Sequence, residues 1–158
     1  MRRRRFIGQL AAAVLGLGLA ATGAVAREPG AHAFVVQIYA DHIGPNEGFA
    51  LDTDRDFRRY FEPALAERMI RDTHDAWDKR DRARLDYDVF VDASSWSFKT
   101  VRVAIAPHGP RRAVAAVTFD EAGARRTIRL DLVRLRVGWR ISDIRAPRGD
   151  LRARLAAK

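Results

Sequence analysis

The chain contains no cysteine, and only three of its 29 basic residues are lysines. The absence of cysteine excludes disulfides, thiolate metal sites and a lipid anchor on an N-terminal cysteine. A length of 158 residues provides one domain with one core, which excludes a multidomain enzyme. The sequence also lacks a glycine-rich phosphate loop and a nucleophile elbow. No cofactor is predicted.

Residues 1–26 have the pattern of a cleaved export signal. Arg2–Arg5 form a basic start, and the following residues up to Ala26 carry no charge. Small residues, Ala24 and Ala26, stand where a signal peptidase cuts. We therefore expect a mature chain that begins at Arg27, so that residues 27–158 form the single domain.

The export route and the cleavage each have an alternative. Arg3-Arg4-Arg5-Phe6-Ile7 resembles the twin-arginine motif and favours that route, while the general secretory route stays open. An uncleaved anchor is the alternative to cleavage, because the charge-free stretch is about long enough to span a bilayer. After cleavage we expect no stable membrane insertion.

Export predicts a periplasmic or secreted protein, which argues against nucleic acid as a partner. The net charge of +9 favours anionic partners. The expected partner is an envelope protein or a small ligand.

Apolar residues recur with helical spacing in two stretches of the mature chain. The first predicts a helix over residues 31–42. The second predicts a helical region over 55–80, broken at Pro63, because proline is favoured as the first residue of a helix. We expect Asp52 or Asp54 to cap the first part of that region. The buried sides should contain Phe34, Val35, Ile38, Tyr39, Leu65, Met69, Ile70, Thr73 and Trp77.

After Arg84 the apolar period changes to two residues, as in β-strands. The alternation slips by one residue at Val133, which predicts a β-bulge there. A short helix should close the chain at 149–157. Helices followed by strands predict an α+β fold, with N-terminal helices packed on a curved antiparallel sheet of about four strands. The strands are expected around 101–105, 113–119, 128–137 and 139–142.

Four segments stand in the order Ala33–Tyr39, Arg59–Leu65, Leu85–Phe90 and Gly138–Ile144. Together they resemble an uncharacterised bacterial family of exported proteins, domain of unknown function 3828. The resemblance implies an NTF2-like or cystatin-like fold and export, and it implies no known chemistry. This chain has Asp88-Val89-Phe90 where the family has aspartate-proline-phenylalanine, and Ala93-Ser94-Ser95 where alanine-glutamine-aspartate tends to follow.

The densest group of acids before the sheet consists of Asp86, Asp88 and Asp92. In an NTF2-like cone this segment would lie at the mouth of the cavity, with Trp96 and Trp139 as walls. A carboxylate beside apolar walls has a raised pKa and can serve as a general acid or base. The alternative is that these aspartates accept backbone N–H groups in turns.

Asp143 is a second candidate, because strand alternation places it on the face of Trp139 and Ile141. A buried acid is costly unless it is hydrogen-bonded. An ion pair with Arg140 or Arg145 is therefore the favoured interpretation.

Two metal-like patterns do not meet the requirements of a site. A calcium loop starting at Asp52 would need glycine at its sixth position and glutamate at its twelfth, where Phe57 and Pro63 stand. His74 and Asp78 would supply only two ligands, and such a spacing is commoner as a surface pair. No metal is predicted.

The sequence thus favours an exported binding or interaction module without a catalytic role. Its site would be a concave pocket of the sheet, or an arginine-rich outer face that is equally well explained as a solvated surface. The alternative is a small enzyme of the ketosteroid-isomerase type acting through Asp86, Asp88 or Asp143. A homodimer through the sheet is left open. The arginines of the outer face would be Arg125, Arg129, Arg134, Arg136, Arg140 and Arg145.

Overall fold

The computed structural model describes residues 30–45, 48, 51, 53–81 and 84–157. The expected signal segment, with its cleavage site at Ala24, Ala26 and Arg27, lies outside the described residues. The elements in chain order are α1 (Ala31–Ala40), β1 (Gly44–Pro45), α2 (Asp54–Tyr60), α3 (Pro63–Lys79), β2 (Ser97–Phe98), β3 (Val101–Pro107), β4 (Arg112–Glu121), β5 (Ala124–Leu135), β6 (Gly138–Ala146), β7 (Gly149–Asp150) and α4 (Leu151–Ala156).

The architecture is a set of helices on an antiparallel sheet, as the sequence predicts. The main sheet has the order β3-β4-β5-β6-β7, and β1 pairs separately with β2. The sheet has five strands where about four were expected, because Gly149 and Asp150 turn back and pair with the end of β6. The helix α4 follows directly, within the predicted range of 149–157.

The cap of α2 differs from the prediction. Thr53, and not Asp54, caps the helix: its hydroxyl accepts the Asp56 N–H at 3.3 Å, and the Asp56 carboxylate accepts the Thr53 N–H at 3.2 Å. Asp52 lies outside the described residues. This reciprocal arrangement satisfies two backbone donors at once. Asp54 lies inside the helix, where its carboxylate is 3.0 Å from the His74 ring.

The third helix begins at Pro63, as predicted, and is buried over its first half. Met69 and Ile70 are buried, whereas Thr73 is half-buried and donates its hydroxyl to the Met69 carbonyl. The prediction that Trp77 is buried is wrong, since the residue is 85% exposed. Apolar spacing continues along the helix, but its last two turns contain no buried residue, because the rest of the described chain does not cover them.

A β-bulge interrupts the pairing of β5 with β6. Asp131 pairs with Asp143, but the next pair is Leu132 with Ile141. Ser142 is therefore the extra residue, and the bulge lies on β6.

The sequence placed this phase change on the wrong strand, at Val133 of β5. The buried residues Ile141 and Ile144 are three positions apart, so the alternation changes on β6. Val133 is half-buried and Val137 is 67% exposed. These two residues lie at the end of the sheet where β5 turns into β6, and they do not form a second buried face.

The core lies between the inner face of the sheet and the helices. The helix α1 packs on β3 and β4, and α2 packs on β6. Phe61 forms a parallel bridge with Ile141, and the Glu62 N–H donates to the Ile141 carbonyl at 2.9 Å. This contact fixes the end of α2 against the start of β6. The largest buried side chains include Tyr39, Phe61, Phe90, Phe98, Ile128, Leu130 and Leu132.

Candidate ligand-binding cleft

Asp88 and Trp96, two of the predicted site residues, meet around a histidine. The Asp88 Oδ2 atom is 3.1 Å from Nε2 of His42, while its Oδ1 accepts the Phe90 N–H at 2.8 Å. The Trp96 ring lies 5.9 Å from the His42 ring, and its indole N–H donates to the His42 carbonyl at 3.1 Å. Asp88 and Trp96 therefore both contact His42, a residue that sequence analysis missed.

His42 is fully buried, and both its ring nitrogens face acceptors. Its Nδ1 lies 2.7 Å from the Ile38 carbonyl, and its Nε2 faces Asp88. An aspartate–histidine pair resembles the base of many nucleophilic enzymes, which needs one ring nitrogen directed at the reacting group. Here neither nitrogen is available, so the pair joins α1 to the 85–96 segment. One feature of the sequence indicates this contact. His42 stands four positions after Ile38, just beyond the end of α1, where a histidine side chain can bond to one of the last helix carbonyls.

Tyr39 makes a second link between α1 and the same segment. Its hydroxyl donates to the Phe90 carbonyl at 2.6 Å. Burial raises the pKa of Tyr39 well above 10.0, and the negative charge of Asp88 raises it further. The phenol therefore stays protonated and keeps its hydrogen bond.

Asp92 anchors the C-terminal part of the chain. Its carboxylate is buried and accepts the Arg148 N–H at 3.0 Å, with the Arg154 guanidinium 3.7 Å away. The ring of Tyr87 lies under both guanidinium groups, at 4.8 Å and 4.5 Å from its centroid. Burial raises the pKa of Tyr87, and the negative charges of Asp92 and Asp86 add to this rise, while the two cations lower it. Asp86, the third acid of this group, is exposed.

Asp143 caps α4 from the neighbouring strand. Its Oδ1 accepts the N–H groups of Ile144 and Arg152, at 2.9 Å and 3.1 Å. The predicted ion pair with Arg140 or Arg145 is wrong, because the Ser142 bulge turns Asp143 toward α4. Burial raises the pKa of Asp143, although the two backbone hydrogen bonds lower it.

The predicted partners of Asp143 make other contacts. Arg145 pairs with Asp131 at 2.5 Å, and Arg140 donates to the Trp139 carbonyl at 2.7 Å.

Trp139 lies in a different place from the aspartates, in a cleft between the helices and the β5–β6 hairpin. The cleft has a volume of about 220 Å³, and none of the described residues in its wall is an aspartate or glutamate. The aromatic part of the wall comes from Phe34 on α1, Tyr60 on α2 and Trp139 on β6. The remaining lining residues are Gln37, Ile38, Arg59, Val137, Gly138 and Arg140.

Two arginines give the cleft its charge. The Arg59 guanidinium lies 5.4 Å from the centre of the Tyr60 ring, and within the described part of the chain no carboxylate pairs with it. Arg140 is held at the opposite wall by its bond to the Trp139 carbonyl. Since the Phe61–Ile141 bridge fixes α2 against β6, the two walls have a defined separation.

Among residues 30–45, 48, 51, 53–81 and 84–157, no group of three histidines or acids could hold a metal ion. The His74 ring pairs with Asp54 and not with Asp78. No helix of this part of the chain is both long and apolar enough to cross a bilayer.

The comparisons with known proteins assign no family to the chain. No family model matches the sequence, and no curated protein matches it. One solved structure, a phospholipid-binding protein from Ralstonia solanacearum in complex with a phospholipid, is 14% identical, with 77% of this chain and 67% of that chain covered. The TM-score of 0.36 is too low to assign a shared fold, and the similarity transfers no ligand to this chain.

Proposed function

We propose that this protein is a binding module whose cleft at Trp139 takes a small ligand with an apolar part and a negative charge. The observation that carries the proposal is the composition of the cleft wall, whose described residues combine three aromatic rings with two guanidinium groups and include no carboxylate. Apolar walls with a few placed polar groups are typical of ligand sites.

The chemistry of the wall defines the ligand class. Arg59 presents a planar group of N–H donors that matches a carboxylate or phosphate. The volume of about 220 Å³ is below the roughly 300–1,000 Å³ of drug-sized sites, so a ring or a short chain fits. Because Asp88, Asp92 and Asp143 do not line the cleft, binding is better supported than acid–base catalysis.

The test compares 1-naphthoate with 1-naphthamide, which have similar shapes but differ in charge. Isothermal titration should show tighter binding of 1-naphthoate. Arg59→Gln should weaken 1-naphthoate binding about fivefold, the effect of an exposed ion pair of about 1 kcal/mol, and should leave the amide unchanged. Trp139→Leu should weaken both ligands, with thermal unfolding measured in parallel.

The matched control is Arg102→Gln, which removes the same charge from β3. Arg102 pairs with Thr118, at the end of the sheet away from the cleft. This variant should bind both ligands as the unmodified protein does. Equal affinities of the unmodified protein for the two ligands would contradict the anionic part of the proposal. No binding of either ligand would contradict the assignment of the cleft.

We also propose that the domain is exported and has an NTF2-like or cystatin-like fold, as a member of domain of unknown function 3828. The support is the sequence resemblance, the pattern of residues 1–26 and the arrangement of helices on an antiparallel sheet. The intact mass of protein purified from the periplasm should correspond to a chain starting at Arg27. A full-length mass in the membrane fraction would show the anchored alternative.

A further inference from the structure

The open end of the sheet, where two hairpin loops lie side by side, is unusually basic. The β5–β6 turn consists of Arg136 and Val137, since Leu135 and Gly138 are the last pair of those strands. The β3–β4 turn lies beside it, because the Arg134 N–H donates to the carbonyl of Arg111 at 2.8 Å.

The strand segments next to these loops carry no acidic residue. Residues 101–119 and 132–142 contain no aspartate or glutamate. Within the described residues, Arg111, Arg112 and Arg136 have no ion-pair partner. Arg111 and Arg136 line one shallow hollow of about 500 Å³ together with Arg134. We call this set, Arg111, Arg112, Arg134 and Arg136, the arginine rim.

An exposed apolar side chain stands next to the rim. Val137 follows Arg136 in the two-residue β5–β6 turn and is 67% exposed. An exposed aliphatic side chain beside cations is suited to a surface with anionic groups outside and an apolar interior. Guanidinium groups bind phosphates with two parallel hydrogen bonds. A second copy of the chain would instead place like charges opposite each other.

We propose that the arginine rim and Val137 dock onto a bilayer that contains anionic phospholipids. Val137 enters the headgroup region, and the arginines bind lipid phosphates. None of the rim arginines lines the cleft, although Val137 does. Vesicle binding through the rim therefore does not require a ligand in the cleft.

The first experiment measures cosedimentation with vesicles of phosphatidylethanolamine and phosphatidylglycerol in equal parts, and with vesicles of phosphatidylcholine alone. We expect binding to the anionic vesicles only, weakened by added salt. Each arginine near such a surface contributes about 1 kcal/mol, or about fivefold in affinity. Arg111→Gln combined with Arg136→Gln should therefore weaken binding about 25-fold.

The matched control combines Arg102→Gln with Arg129→Gln. It removes the same charge from exposed positions elsewhere on the sheet, and we expect it to retain most of the binding. Equal weakening by the two double variants would overturn the proposal, because binding would then depend on net charge alone. Binding of soluble polyglutamate through the rim arginines without vesicle binding would also overturn it, since the rim would then fit an acidic protein.

A second measurement tests insertion of Val137. The chain has no cysteine, so Val137→Cys and Thr127→Cys each provide one attachment point for an environment-sensitive fluorophore. Anionic vesicles should shift the emission to the blue for the label at position 137 and not at 127. The absence of a shift at 137 in a vesicle-bound protein would show that Val137 does not enter the headgroup region.

Discussion

Replacing Asp88 by alanine tests whether the His42–Asp88 pair holds the 85–96 segment against α1. The change removes the carboxylate that accepts the Phe90 N–H and lies 3.1 Å from Nε2 of the fully buried His42. Loss of one partner of a buried pair costs about 3–5 kcal/mol. Since the Asp88 side chain is 15% exposed, water can replace part of the lost hydrogen bonding. We therefore expect Asp88→Ala to lower the free energy of unfolding by about 3 kcal/mol.

Asparagine at position 88 should be much less damaging. Its oxygen can still accept the Phe90 N–H, and its amide can donate to a neutral His42. We expect a loss of about 1 kcal/mol, close to the net value of one hydrogen bond.

Urea unfolding followed by circular dichroism gives the free energy of unfolding for each variant. The control is Asp75→Ala, because Asp75 is 71% exposed and its ion-pair partner among the described residues, Lys79, is 4.0 Å away. This control should change stability by less than about 0.5 kcal/mol. If Asp88→Ala costs no more than Asp75→Ala, the reasoning about the buried pair is refuted.

Two further predictions concern the pH dependence of stability. The raised pKa of Tyr39 means that the unfolded chain ionises near pH 10.0 while the folded chain does not, so stability should fall above that pH. Tyrosinate absorbance should show one tyrosine that ionises only on unfolding, and Tyr39→Phe should abolish that step. The raised pKa of Asp143 contributes stability that is present below the ordinary value of 3.8 and is lost as the pH rises through the folded pKa. Asp143→Asn keeps an acceptor for the Ile144 and Arg152 N–H groups, so its urea midpoint should improve relative to the unmodified protein above pH 3.8. If the urea midpoints of Asp143→Asn and of the unmodified protein changed with pH in the same way, the raised pKa of Asp143 would be contradicted.

The candidate site was only partly predictable. Trp139 was predicted to form a wall of a pocket, and it does line the cleft. Its opposite wall comes from Arg59 and Tyr60, which are about 80 positions away in the chain and were not predicted as site residues. Asp86, Asp88 and Asp92 were predicted to lie at one site because they are close together in the sequence. In the structure, Asp88 and Asp92 bond to separate parts of the fold.

Local patterns determined the elements of this protein. Helical spacing identified α1, proline identified the start of α3, and alternation identified the central strands, because each signal depends on residues within a few positions. The same patterns failed for Trp77 and for the position of the bulge. Spacing shows which residues share a side, but only the neighbouring elements decide whether that side is covered.

The tertiary structure alone decided which polar groups meet. His42 and Asp88 are 46 positions apart, and Asp92 and Arg148 are 56 positions apart. A buried polar group needs a partner, but the partner can come from any element that the topology brings near. The sequence by itself therefore determined the helices, the strands and the basic charge. Packing of α1 on β3 and β4, and of α2 on β6, created the cleft and left the arginine rim exposed.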